Sequence, residues 1–205
     1  MEITETIKRL QETPDAYIDV SYLQGRDAVL NQLNKRSGDD ESLWVDSYLN
    51  DIEHTINDLI ERIKPHSLPD DYLYFLSYYG GVSIEHENSY FQVFGVGPMV
   101  EDEYASIDSD EAQLGKEVTG FLSIGSVSFR TGTLALYRVT FFLDLASRFQ
   151  RYSVIGIGPW ERGMIPPDQV LQNLNGHADK WKILANSFTH WLDKAAETHG
   201  AFEYS

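Results

Sequence analysis

Residues 67–81 read Ser67-Leu68-Pro69-Asp70-Asp71-Tyr72-Leu73-Tyr74-Phe75-Leu76-Ser77-Tyr78-Tyr79-Gly80-Gly81. Every local signal in this stretch predicts a helix. Pro69 suits a first helical turn, where an amide hydrogen would have no intrahelical acceptor to lose. Asp70 and Asp71 put carboxylates at the positive end of the helix macrodipole. Tyr72, Phe75, Leu76 and Tyr79 share one face as a buried stripe, and Gly80-Gly81 predicts a left-handed stop.

A longer helix precedes it. Leu49, Ile52, Ile56, Leu59, Ile60 and Ile63 repeat on a 3.6-residue period, Asp46, Glu53, Asn57 and Glu61 fill the far side, and Pro65 ends the pattern. From Val82 to Ile157 the pattern changes to short β-branched and aromatic runs near Tyr90–Val96, Gly120–Phe129, Thr133–Val139, Thr140–Leu145 and Tyr152–Ile157, an antiparallel meander. The tail reads as one helix, with Trp181, Leu184, Ala185, Phe188, Leu192 and Ala195 on a single face. An echo, Phe94–Met99 (FGVGPM) and Ile155–Trp160 (IGIGPW), reads as two strand ends turning on Gly-x-Gly-Pro. The expected class is α+β: a mostly antiparallel central sheet with helices before and after it packed on one face.

Asn34–Ser42 (NKRSGDDES) is polar linker or loop chemistry with nothing to bury. Residues 1–33 are expected to be an appendage: a short helix bearing Ile3, Ile7 and Leu10, a possible strand at Tyr17–Leu23, and a helical turn through Ala28, Leu30 and Leu33. Too few to hold a core alone, they would pack on the main domain, 43–198, which a short tail, 199–205, follows.

At 205 residues with 42% hydrophobic content, the chain holds enough apolar material for a packed core. It has no cysteine, hence no disulfide, thiolate zinc site or thiol nucleophile. Its apolar runs are too short to span a bilayer, and MEITETIKRLQ lacks the basic start and apolar stretch of a secretory signal, so a cytoplasmic protein is expected.

Motifs for chemistry are sparse. The six histidines show neither HExxH nor a close pair at metal-binding spacing. Gly95-Val96-Gly97 and Gly156-Ile157-Gly158 lack the third glycine of a dinucleotide loop, and Gly125-Ser126-Val127-Ser128 matches a nucleophile elbow only in composition. No cofactor or metal site and no catalytic group is expected. A metal-assisted hydrolase built on Asp108, Asp110 and Glu111 is the remote alternative.

Charge is more informative. Lys and Arg number 16 against 32 Asp and Glu, for a net charge of −16. Such a surface repels phosphate backbones, which excludes nucleic acid as the expected partner and favours a protein with a basic surface. Between Pro65 and Gly115 there is no Lys or Arg, while acids recur beside Tyr90, Phe91 and Tyr104. Charge speeds encounter and rings anchor contact, so the expected partner-binding face comprises Glu85, Glu87, Tyr90, Glu101, Asp102, Glu103, Tyr104, Asp108 and Asp110. Arg130, Arg138, Arg148, Arg151 and Arg162 follow later; they either polarise the molecule or neutralise those acids across the sheet.

The order of these blocks resembles the SUKH superfamily of Smi/Knr-like domains. The likeness runs from about Leu43 to Ala196. It rests on Leu68-Pro69-Asp70-Asp71-Tyr72 with Phe75-Leu76 and Gly80-Gly81, on Phe121-Leu122-Ser123-Ile124-Gly125 and Gly132-Thr133-Leu134-Ala135-Leu136, and on Ile183–Leu192, which contains Leu184-Ala185-Asn186-Ser187-Phe188. Thr133 departs from the pattern, since members often carry an acid there. The resemblance implies a non-enzymatic binding module, most often an immunity protein that neutralises a nuclease- or deaminase-like toxin by binding it. A regulatory scaffold of the same fold, binding a host protein, is the alternative.

Overall fold

The computed structural model describes residues 2–20, 24, 27–31, 53–95, 117–118, 120–131, 135–161 and 167–201. Helix α1 (Ile3–Glu12) leads into strand β1 (Ala16–Val20); residues 27–31 are helical, residues 53–62 form α2, and α3 spans Asp70–Tyr78. Five strands follow: β2 (Tyr79–His86), β3 (Ser89–Val93), β4 (Glu117–Val118), β5 (Phe121–Thr131) and β6 (Ala135–Asp144). After them come β7 (Val154–Glu161), α4 (Pro167–Gln172), β8 (Trp181–Ala185) and α5 (Phe188–Glu197). Seven strands lie side by side in the order β1-β2-β3-β5-β6-β7-β8, each antiparallel to its neighbour, and the two-residue β4 pairs with β5. The fold is α+β.

Side-chain alternation along the strands makes two cores. On one face Val82, Ile84, Phe91, Val93, Leu122, Val127, Phe141 and Leu143 pack in one cluster with Ile56, Leu59 and Ile63 of the α2 stripe, with α3 and α5, and with Ile7 and Leu10 of α1. Strand β1 extends the same sheet beyond β2, so the first residues share both the sheet and its core. On the other face Phe121, Phe142, Ile155 and Ile157 pack with Val170 and Leu171 of α4. Helices flank the sheet on the expected face, and the short α4 covers part of the second.

One contact ties the helices together. The Asp71 carboxylate sits in the first turn of α3; Oδ2 accepts hydrogen bonds from the Thr189 amide (2.8 Å) and hydroxyl (2.7 Å), and Oδ1 accepts from the Tyr72 amide (2.9 Å). Ser187, the residue before α5, accepts from the His190 amide at 3.2 Å. Two of the amides left without partners at the start of α5 are thereby satisfied, one locally and one from across the chain. Beneath this clasp the rings of Tyr72 and Phe188 lie 4.8 Å apart, Phe75 and Phe188 5.2 Å, and Trp191 reaches Phe141 of the sheet at 4.9 Å. From α1, Arg9 pairs with the buried Asp193 of α5 at 2.6 Å.

Four expectations are corrected. The tail is not one helix: β8 pairs with β7, and Ser187 is extended (φ −157°, ψ 163°) before α5 begins. The apolar spacing of Trp181, Leu184 and Ala185 fits a helix, but cross-strand pairing overrides it. Gly80 and Gly81 are no left-handed stop, because α3 passes through an extended Tyr79 (φ −131°) directly into β2. The close backbone approach instead requires glycine at position 95, where a Cβ would lie 1.9 Å from the Gly80 carbonyl oxygen, and a Cβ on Gly81 would lie 3.2 Å from the Val93 carbonyl oxygen. The Ile155–Trp160 repeat is no strand end but lies within β7, where Gly158 takes a φ of 139° opposite a register shift in β6. Its partner at Phe94–Met99 extends outside the described residues. The two runs expected at Thr133–Val139 and Thr140–Leu145 are not separate strands: Ala135–Asp144 is continuous as β6, and residues 133–134 lie outside the described residues.

Asp71→Ala is expected to lower unfolding free energy by about 1–2 kcal/mol, the range of a lost helix cap. Asp70→Asn, at an exposed position beside it, should change stability by less than about 0.5 kcal/mol. In urea titrations Asp71→Ala combined with Thr189→Val should fall short of the summed single losses by about 0.5 kcal/mol or more, and strict additivity would refute the clasp. Gly95→Ala should cost about 2–3 kcal/mol through overpacking against Gly80, and a neutral result would contradict that contact.

Candidate functional site

The β2–β3 hairpin positions the described part of the expected acidic face. His86 pairs with Ser89, leaving Glu87 and Asn88 as a two-residue turn in which Glu87 takes a left-handed φ of 44°. Ser89 Oγ donates to the His86 carbonyl at 3.0 Å, and the Arg130 amide donates to the Asn88 carbonyl at 3.0 Å, fixing the tip to β5. Alternation sends Val82, Ile84, Phe91 and Val93 into the core and Ser83, Glu85, Tyr90 and Gln92 to the opposite face. Phe91, expected at the surface beside the acids, is therefore buried.

Strand register extends this face. Glu85 lies directly opposite Tyr90, Tyr90 opposite Ser128, Ser128 opposite Arg138, and Arg138 opposite Trp160. An acid, a phenol, a hydroxyl, a guanidinium and an indole thus form one row across five strands. Arg138 Nε donates to Ser128 Oγ at 3.4 Å. The neighbouring row, Ser83, Gln92, Ser126 and Thr140, is small and polar, and its last three members are buried.

Of the expected site residues, the structure brings Glu85 and Tyr90 together as an adjacent pair, with Glu87 at the turn two residues beyond Glu85. Glu85 and Glu87 are exposed and Tyr90 is half-buried. Glu101, Asp102, Glu103, Tyr104, Asp108 and Asp110 lie outside the described residues, as does Glu111 of the metal alternative. Arg138 stands three strands from Glu85, roughly 14 Å at the usual strand spacing. In the register the Tyr90 and Ser128 positions lie between Arg138 and the hairpin acid. Arg130, exposed on β5 beside the turn, is the nearer cation.

Among the described residues no three His, Cys, Asp or Glu side chains are grouped to hold a metal ion. Gly125-Ser126-Val127-Ser128 lies inside β5, not on a strand-to-helix turn, so no exposed nucleophile elbow forms there. Burial pushes the Tyr72 phenol well above its ordinary value. Tyr79 is raised as well, first by burial and then by its neighbours Tyr74 and Tyr78. Both phenols keep their protons at neutral pH, and Tyr72 Oη donates to the Phe94 carbonyl at 3.4 Å. They serve the core.

Ser128 and Trp160 were not expected at this face, and Arg138 was named only among the five arginines that polarise the molecule or neutralise the acids across the sheet. Their signal was the polar–apolar alternation of Tyr137-Arg138-Val139-Thr140, but only strand register places them in line with Tyr90. No helix of the described residues is long and apolar enough to cross a membrane.

The Tyr72 shift fixes a pH dependence. The fold binds this proton more tightly than the unfolded chain, so stability is intact below the unfolded value of about 10 and falls as pH rises above it. Tyr72→Phe should flatten the decline in thermal midpoint above about pH 10 relative to wild type, and an unchanged alkaline slope would contradict the assignment. No protein-family model, curated protein or solved structure matches the chain.

Proposed function

We propose that this chain is a non-enzymatic, SUKH-type protein-binding module that acts as an immunity protein, neutralising a basic nuclease- or deaminase-like toxin domain by binding it. The observation that carries the reading is the exposed Glu85 set directly opposite Tyr90, with Glu87 lifted at the turn, on the sheet face turned away from the main core. An acid beside a ring on a rigid hairpin suits a cationic partner, because the carboxylates steer encounter and the ring supplies anchoring area. The hairpin leads into Glu101, Asp102, Glu103, Tyr104, Asp108 and Asp110, which extend the same charge in sequence, and the whole chain carries −16. A toxin that grips nucleic acid needs a basic substrate surface, and a strongly acidic chain excludes nucleic acid from that surface by occupying it.

Support for the family reading comes from how its motifs meet. Asp71 of the Leu-Pro-Asp-Asp-Tyr block caps the helix that begins at Phe188, and Tyr72 and Phe75 pack on the Phe188 ring. Two stretches far apart in sequence thus act as one structural unit, which gives a physical reason for their appearing together.

Mixing the protein with the basic domain encoded beside its gene should give a complex whose association rate falls steeply as salt rises. Reversing Glu85, Glu87, Glu101, Asp102 and Glu103 to lysine should slow association by about tenfold or more and flatten the salt dependence, with the circular dichroism unchanged. Association at the wild-type rate would place the binding face elsewhere.

A further inference from the structure

A separate chemical site lies in the connection between α4 and β8. Residues 173–177 read Asn-Leu-Asn-Gly-His, and Leu174–His177 forms a single 3₁₀ turn. Asn173 caps it. The Gly176 amide donates both to the Asn173 carbonyl (3.1 Å) and to the Asn173 side-chain Oδ1 (3.2 Å). The cap lies so close over the turn that a Cβ on Gly176 would stand 2.4 Å from Asn173 Nδ2, so a side chain there would displace it. The turn also seats the second core. Leu174 and Trp181 pack against that cluster, and the Trp181 indole N–H donates to the Leu174 carbonyl at 3.0 Å. The Lys180 amide donates to the His177 carbonyl at 2.9 Å, and the Gly158 amide of β7 donates to the Lys180 carbonyl at 2.8 Å.

Glycine under the cap creates Asn175-Gly176, the one Asn-Gly pair in the sequence, and both residues are exposed. In such a pair the glycine nitrogen, with no Cβ beside it, can reach the asparagine side chain. After losing its proton, the Gly176 nitrogen attacks Asn175 Cγ. The new N–Cγ bond closes a succinimide ring, and the Cγ–Nδ2 bond breaks, releasing ammonia. Water then opens the ring at either carbonyl. One product is aspartate. The other is isoaspartate, whose main chain runs through the former side chain and is longer by a methylene. Nothing is oxidised or reduced, and water is the sole co-reactant. The native turn opposes the first step twice. The attacking nitrogen has its hydrogen bonded to Asn173, and the 3₁₀ backbone keeps that nitrogen in the turn, not folded back on Cγ.

We propose that Asn175-Gly176 is a site of spontaneous deamidation gated by the Asn173 cap, and that its conversion releases Trp181 from the second core. The gate opens when the turn frays, so the rate of conversion follows the local opening equilibrium. Isoaspartate does not fit the turn: its added methylene displaces Leu174 relative to His177, and the Leu174 carbonyl then loses the Trp181 indole. The site lies apart from the hairpin face and does not rest on the immunity reading.

Incubating the full chain at neutral pH and following each asparagine by peptide mass spectrometry tests this. In the folded wild type Asn175 should convert at least about tenfold more slowly than in denaturing urea, a comparison that needs no variant. Asn173→Ala should raise the folded rate about fivefold, the change in opening expected from a lost cap. Asn173→Asp keeps the acceptor and should stay as slow as wild type. Asn88, before Ser89, and Asn186, before Ser187, should be indifferent to both substitutions, which separates local release from global unfolding. Converted chain, resolved by ion exchange through its added charge, should be cut by trypsin after Lys180 about tenfold faster than unconverted chain. Equal rates in folded and unfolded wild type, a folded Asn173→Ala no faster than wild type, acceleration in Asn173→Asp, or unchanged cleavage after Lys180 would each overturn the proposal.

Discussion

The contact on which this architecture turns is the bond between Asp71 and the start of α5. A helix that begins against a packed core has amide groups that must find acceptors, and water has poor access there. Ser187 supplies one acceptor from within the local sequence, whereas Asp71 supplies the other from a residue 118 positions away. Because the same carboxylate also receives the Tyr72 amide, the first turns of α3 and α5 are fixed to each other. The aromatic cluster below depends on that alignment: Phe188 meets Tyr72 and Phe75 on one side and Trp191 on the other, and Trp191 touches Phe91 and Phe141 of the sheet. The polar clasp sets direction, and the rings supply most of the burial energy.

With the helices committed to one face, the rest of the sheet is left to present function. Side chains of β2 and β3 point alternately to the two faces, so burying Ile84 and Phe91 in the main core obliges Glu85 and Tyr90 to point the other way. Neither side chain has a choice of face. The same logic operates at β8, where pairing of Ile183 with Ile155 puts Ile183 on the side of the smaller core, at an edge that core does not fully cover.

How much of this was readable in advance follows from which forces are local. The α2 stripe at Ile56, Leu59 and Ile63 is buried as its period predicts, and α3 buries Tyr72, Phe75 and Leu76. Those elements are set by periodicity and end effects within a few residues. Strand β2 was hidden by Gly80-Gly81, which suggests a helix stop from composition; here the pair lies in a strand, and it is Gly95, 15 positions on from Gly80, whose Cβ would strike the Gly80 carbonyl. Strand β8 was hidden because Trp181, Leu184 and Ala185 happen to fit the period of the helix that follows. At the candidate site, the Glu85–Tyr90 juxtaposition was implicit in a hairpin with a two-residue turn, whereas the alignment of Ser128, Arg138 and Trp160 needed register across four strand pairs. Register is a property of the assembled sheet, and one sequence does not encode it in any short window.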